Sequence, residues 1–154
     1  MIRTPRLDLR PLPDDEADAI LAGNRAGRSW SAGYPTPGDV ETASWPAPTD
    51  ARWRTLQVVE RASGLAVGGI GCHGAPSDGV VEVGYGFAPE VRGRGLATEA
   101  LAALVHFLEA QPEVRIVRAA TDADNVPSQR VLERCGFVAV ARDELSIAWR
   151  RERP

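Results

Sequence analysis

Val80-Val81-Glu82-Val83-Gly84-Tyr85-Gly86-Phe87, then Ala88-Pro89-Glu90, then Val91-Arg92-Gly93-Arg94-Gly95-Leu96-Ala97-Thr98, is the stretch on which the fold turns. Its first part reads as a strand. Alternation puts Val81, Val83, Tyr85 and Phe87 on one face and Glu82, Gly84 and Gly86 on the other, so one face is bulky and the other nearly bare. Its last part opens a helix over Ala97 to Leu108, in which Leu101, Leu104, Val105 and Leu108 recur at i, i+3, i+4, i+7. A glycine-rich turn between a strand and a helix lets backbone N–H groups converge on an anion, and Arg92 and Arg94 add positive charge. A diphosphate is the natural guest of such a turn. A nucleoside-triphosphate loop would need Lys then Ser or Thr after its last glycine, whereas Leu96 follows Gly95. The dinucleotide fingerprint would need glycine or alanine where Thr98 stands, and would open a domain of parallel strands.

Outward from this turn, the pattern predicts strands over Leu7–Leu12, Trp53–Glu60, Leu65–His73, Val114–Ala120, Val138–Ala141 and Leu145–Trp149. It predicts helices from Asp14 to about Asn24, briefly over Asp39–Ser44, and over Val126–Arg134, the last with Asn125 as cap and Gly136 as stop. This order implies a mixed α/β (α+β) class with a largely antiparallel sheet flanked by helices. Gly27 to Asp50 carries several prolines and glycines beside Trp30, Tyr34 and Trp45; it is either a satellite apolar cluster or a wall of the substrate site, and Trp30 and Tyr34 are the expected substrate contacts.

At 154 residues, with 44% hydrophobic and 25% charged residues, the chain is sized for one core, so residues 1–154 are expected to form a single domain. A net charge of -3 argues against nucleic acid as a partner. No apolar run reaches the roughly 20 residues of a membrane span, and Met1 to Pro5 lacks a signal-like apolar stretch, so no membrane association and a cytoplasmic location are expected. Cys72 and Cys135 lack metal or disulfide spacing, so two reduced thiols and no metal are expected.

Arg92, Gly95 and Ala97 fill the pattern Arg or Gln, two residues, Gly, any residue, Gly or Ala, and Asn125, Ser128, Gly136 and Phe137 form a second signature. Together these motifs resemble those of the GNAT superfamily of N-acetyltransferases. Thr4 to Leu12 looks like the opening strand of the branch that includes ribosomal-protein N-terminal acetyltransferases. The resemblance covers nearly the whole chain. It implies two splayed strands seating acetyl-CoA, with Phe87, Ala88, Arg92, Gly93, Arg94, Gly95, Leu96, Ala97, Thr98, Asn125 and Ser128 at the coenzyme. It also implies an amine acceptor, either a small molecule or a peptide, and a protein acting as a monomer or a homodimer. Many family members place a tyrosine seven residues after the Asn to protonate the departing thiolate; here that residue is Leu132, and Ser128 is the expected replacement.

Acyl transfer to an amine needs a deprotonated nucleophile, donors for the developing oxyanion and a proton for the thiolate. Glu82 is the expected base, directly or through water, with a solvated sheet residue as its alternative. Asp39, Glu41 and Asp50 are available to attract a cationic amine. Two other readings stand beside the enzyme: a coenzyme A-binding sensor or interaction module without turnover, and, less in keeping with the turn, a nicotinamide-binding protein.

Overall fold

The computed structural model describes residues 1–154 and carries a single eight-stranded sheet. Its strands are β1 (Ile2–Arg3), β2 (Leu7–Pro11), β3 (Leu56–Glu60), β4 (Ala66–Cys72), β5 (Val80–Phe87), β6 (Ile116–Asp122), β7 (Val138–Arg142) and β8 (Ser146–Glu152). They lie in the order β1-β2-β3-β4-β5-β6-β8-β7. Every neighbouring pair is antiparallel except β5 and β6. Those two run parallel because a helix, α3 (Leu96–Glu109), connects them, as a parallel crossover requires. The strand and helix over 80–108 match the sequence reading almost to the residue. The predicted strand at Trp53 begins only at Leu56, because Ala51–Trp53 forms a 3-10 turn capped by Asp50. The short β1 carries too little alternation to be read from sequence.

Each helix shows why it starts where it does. In α1 (Asp14–Ala22) three acidic residues, Asp14, Asp15 and Glu16, occupy the first turn, and Gly23 closes it in the left-handed conformation. In α2 (Pro37–Ala43), Thr36 and Asp39 form a reciprocal capping box. In α4 (Val126–Arg134) the Asn125 side chain accepts from the Ser128 N–H at 3.2 Å. Helix α3 differs from α2 and α4, because its cap, Gly95, has no side chain with which to satisfy the first-turn N–H groups.

Helix α2 meets the glycine face of the sheet: a Cβ on Gly86 would lie 3.2 Å from Thr36 Oγ1. Helices α3 and α4 pack together on the opposite face, where Tyr85 reaches α4. Buried Leu96, Leu101, Leu104, Val105 and Leu108 of α3 meet Val81, Val83, Phe87, Val117, Ile147 and Trp149 in one core. Each fully buried Leu contributes about 1.5–3 kcal/mol over its exposed state, so α3 is held by its apolar stripe. This anchoring frees its N-terminus from any stabilising role. No helix is long and apolar enough to cross a membrane.

Candidate active site

Strands β5 and β6 pair only over Val80–Glu82 and Ile116–Arg118; beyond these rows both continue, but apart. Even-numbered residues of β5 bond back to β4, as the bonds from His73 N–H to Glu82 O and from Ala88 N–H to Val67 O show. The alternation of an antiparallel ladder therefore aims the N–H groups of Tyr85 and Phe87 at the opening. The splayed strands expected from the sequence are present. Phe87 and Ala88 border the opening with backbone only, since both side chains are buried.

At one end of this opening stands the Arg92–Thr98 turn. Gly93 and Gly95 have φ of 77° and 80°, conformations that side-chain-bearing residues resist. The N–H groups from Gly93 to Thr98 meet no protein acceptor. The Thr98 hydroxyl is buried and likewise unpartnered. Arg92 Nε donates to the Phe87 carbonyl at 3.1 Å, which pins the turn to the end of β5 and leaves the rest of its guanidinium available. Arg94 pairs with Glu60, and that hydrogen bond holds the Glu60 carboxyl below its ordinary range. Arg6, which the sequence did not single out, donates to the Arg94 carbonyl at 2.8 Å and pairs with Glu99 at 2.7 Å. A helix N-terminus with free donors, no obstructing Cβ at two positions and nearby guanidinium groups fits a diphosphate.

Across the opening, half-buried Ser128 sits in the first turn of α4, and its hydroxyl lies 2.7 Å from that of Tyr85. The Tyr85 hydroxyl also lies within donating distance, 3.2 Å, of the Ser128 carbonyl. Burial pushes the Tyr85 phenol up, so it stays protonated at neutral pH. Leu132, at the position where the resemblance implies a tyrosine, is fully buried. Asn125 spends its carbonyl on capping α4 and so fixes the orientation of the turn that carries Ser128.

On the glycine face, α2, β4 and β5 enclose a cavity of about 250 Å³ lined by Glu41, Thr42, Trp45, Thr55, His73 and the backbone of Gly69, Gly71, Gly84 and Gly86, among others. A second hollow of about 300 Å³ adjoins it, sharing Thr42, Trp45, Thr55, Cys72 and His73. The glycines make this space: a Cβ on Gly84 would stand 2.5 Å from His73 Nε2, and one on Gly71 2.9 Å from Thr55 Cα. Trp45 meets the His73 ring edge-on at 5.3 Å between centroids. His73 Nδ1 is 3.9 Å from Glu82 Oε1, so the imidazole, itself part of the cavity wall, stands beside the expected base. Cys72 also lines the cavity, but burial pushes its thiol up to about 12, which leaves it unsuited to act as a nucleophile.

Trp30 and Tyr34 do not form the acceptor wall expected of them. They are 7% and 1% exposed. The Trp30 indole N–H donates to Glu16 at 2.6 Å, and the Tyr34 hydroxyl accepts from buried Gln57 at 3.1 Å. Polar partners inside the fold let both aromatics be buried, so they act as a satellite of the core, and the exposed Trp45 takes the cavity side. Of the three acidic residues of that region, Asp39 is spent on the capping box, Asp50 pairs with Arg52, and only Glu41 lines the cavity. His73, at the end of a strand read from the sequence, could face the cleft or solvent; the register that sets it opposite Glu82 puts it on the cavity.

A family model for the acetyltransferase (GNAT) domain matches residues 6–138. An uncharacterized N-acetyltransferase of Bacillus subtilis (strain 168) is 30% identical over 82 residues, covering 53% of this chain and 49% of that protein; the match thus spans about half the length of the curated relative. The fold is shared with a ribosomal-protein-S5-alanine acetyltransferase of Vibrio fischeri, with a TM-score of 0.73 and 18% identity over 99% of this chain and 96% of that one. It is shared too with an aminoglycoside acetyltransferase solved in complex with coenzyme A, with a TM-score of 0.64 and 20% identity over 96% and 95%.

Proposed function

As this chain belongs to the GNAT acetyltransferase family, we propose that it transfers an acetyl group from acetyl-CoA to the primary amine of a small molecule or a protein N-terminus. The observation that carries this reading is the opening left where β5 and β6 part, with a turn rich in free N–H donors following the end of β5 and the Ser128 hydroxyl held 2.7 Å from Tyr85 of the same strand. The coenzyme complex of the related aminoglycoside acetyltransferase supports acetyl-CoA as the donor.

In this reading Arg92 and the N–H groups of Gly93, Arg94, Gly95, Leu96, Ala97 and Thr98 hold the diphosphate, and the edges of Phe87, Ala88 and Asn125 flank the pantetheine arm. The Tyr85 and Phe87 N–H groups face the opening, where donors are worth most once charge develops on the thioester oxygen. Glu41 and the Trp45 ring give a cationic amine both a counter-charge and an aromatic face. Glu82 takes the amine proton through His73 or an intervening water, since His73, 3.9 Å away, lines the cavity and Glu82 itself does not. Ser128 supplies the proton to the leaving sulfur. The buried, protonated Cys72 thiol favours direct attack by the amine over an acyl-cysteine intermediate.

Release of free thiol from acetyl-CoA in the presence of a panel of primary amines tests this. Amine-dependent thiol release is expected. Binding of CoA with no release by any amine would favour the second reading, a coenzyme-sensing or interaction module, for which Leu132 in place of tyrosine is the supporting observation. Stabilisation by NAD and not by CoA would overturn both.

A further inference from the structure

We infer that Tyr85 acts through Ser128, completing a two-hydroxyl relay that delivers the proton to the departing thiolate. This inference rests on the acetyltransferase reading above. The hydroxyls stand 2.7 Å apart, and they come from different elements: Tyr85 from β5 and Ser128 from α4. No local backbone geometry forces them together. They meet across the opening that the splayed strands create, on the side where Leu132 has removed the phenol expected of α4.

The chemistry explains why a serine alone is a poor substitute. A thiol has a reference pKa near 8.5 and a phenol near 10, whereas an aliphatic alcohol is a far weaker acid than either. If Ser128 gave up its proton unaided, a thiolate would be exchanged for a much less stable alkoxide. With Tyr85 behind it, the charge comes to rest on a phenolate. The carbon–sulfur bond breaks and its electron pair goes to sulfur. The Ser128 O–H bond then breaks as an S–H bond forms, and the Tyr85 O–H bond breaks as the Ser128 O–H bond is restored. The Tyr85 phenolate takes a proton from solvent, to which Glu82 gives up the one it took from the acceptor nitrogen. The serine ends neutral, and protons balance without any further reactant. Tyr85 and Ser128 are both half-buried rather than sealed in the core, so solvent reaches the pair.

A structural alternative is that the Tyr85–Ser128 bond only anchors α4 to β5. The two roles separate in a double-variant cycle of Tyr85→Phe, Ser128→Ala and both together, measured with acetyl-CoA and one active amine. A relay predicts that each single variant loses about 10²-fold in kcat, the low end of the effect of positioned acid–base groups because a thiolate leaves tolerably well. It also predicts that the double variant is no slower than the worse single one, and that KM for acetyl-CoA is unchanged. Ser128→Thr, which keeps a hydroxyl, recovers most of the rate in the presence of Tyr85 and little in Tyr85→Phe. Wild-type kcat in Tyr85→Phe, or losses that multiply in the double variant, would overturn the relay. So would a raised acetyl-CoA KM with kcat intact, the mark of an anchor. Failure of the parent protein to turn over any amine while still binding acetyl-CoA would overturn the enzymatic reading, and the relay with it.

Discussion

The two sides of the β5–β6 opening are built on different plans. The proposed coenzyme side is assembled from consecutive residues, and what it offers is the free backbone N–H groups from Gly93 to Thr98. The proposed acceptor side draws on α2, the segment around Trp45, the end of β4 and the glycine face of β5, and sets the side chains of Glu41, Thr42, Trp45, Thr55 and His73 over a floor of glycine backbone. A backbone-built site tolerates change everywhere except where a side chain would intrude or where φ is positive. A side-chain-built site is reshaped by almost any change on its walls.

The largest expected effect breaks the coenzyme side at its most restrictive position. Gly95→Trp places a bulky residue at φ 80°, with Arg6 Nη2 only 3.4 Å from the new Cβ, and should abolish the rise in melting temperature that CoA gives the parent protein. The variant is expected to stay folded, because α3 is held by its buried stripe; an undiminished CoA shift would show that the diphosphate lies elsewhere.

On the acceptor side, Glu82→Gln should leave the CoA shift intact and slow transfer by roughly 10²-fold near pH 6, within the usual range for a general base. The loss should shrink as pH approaches the pKa of the amine, near 10.4 for a lysine-type acceptor, because a base is less needed there. A loss that is constant from pH 6 to pH 9.5 would remove Glu82 as the base.

Gly84→Ala sharpens the contrast further. Its methyl group would meet the His73 ring at 2.5 Å and turn it away from Glu82, so kcat/KM for the amine should fall about 10- to 100-fold, as small misplacements do. The coenzyme shift should not move. An unchanged rate would show that His73 is only cavity wall.

The smallest effect concerns stability. Arg94 holds the Glu60 carboxyl below its ordinary range, so the pair contributes above the unfolded carboxylate pKa of about 4.3, and its contribution is lost as pH falls through the lower, folded value. Glu60→Gln should therefore lower the melting temperature at pH 7 by about 2–4 °C, the equivalent of about 1 kcal/mol for a chain of this size. That difference should narrow below about pH 4, where the carboxylate protonates in the unfolded chain while Arg94 still holds it ionised in the folded one. An equal difference at pH 3 and pH 7 would show that the pair contributes by packing and not by charge.

The same contrast explains what could be read from the chain alone. Strand β5, the Arg92–Thr98 turn, helix α3 and helix α4 were legible because each rests on local causes: alternation, a glycine with positive φ, a 3.6-residue stripe, and an Asn cap with a Gly stop. The acceptor side was misread where it depended on burial. Trp30, Tyr34 and Trp45 look alike as aromatic residues of one proline-rich segment. Only the placement of Glu16 and Gln57, from α1 and β3, decides that the first two can be buried with their polar atoms satisfied while Trp45 stays out. His73 and Glu82 become neighbours through strand register, and Tyr85 and Ser128 through the packing of α4 against the sheet. The sequence by itself therefore determined the glycine-rich turn before α3 and the order of the elements, since those follow from interactions within a few residues. Which side chains face the acceptor, and which hydroxyl backs Ser128, was decided only by tertiary structure, because those contacts join residues from separate elements that share no local pattern.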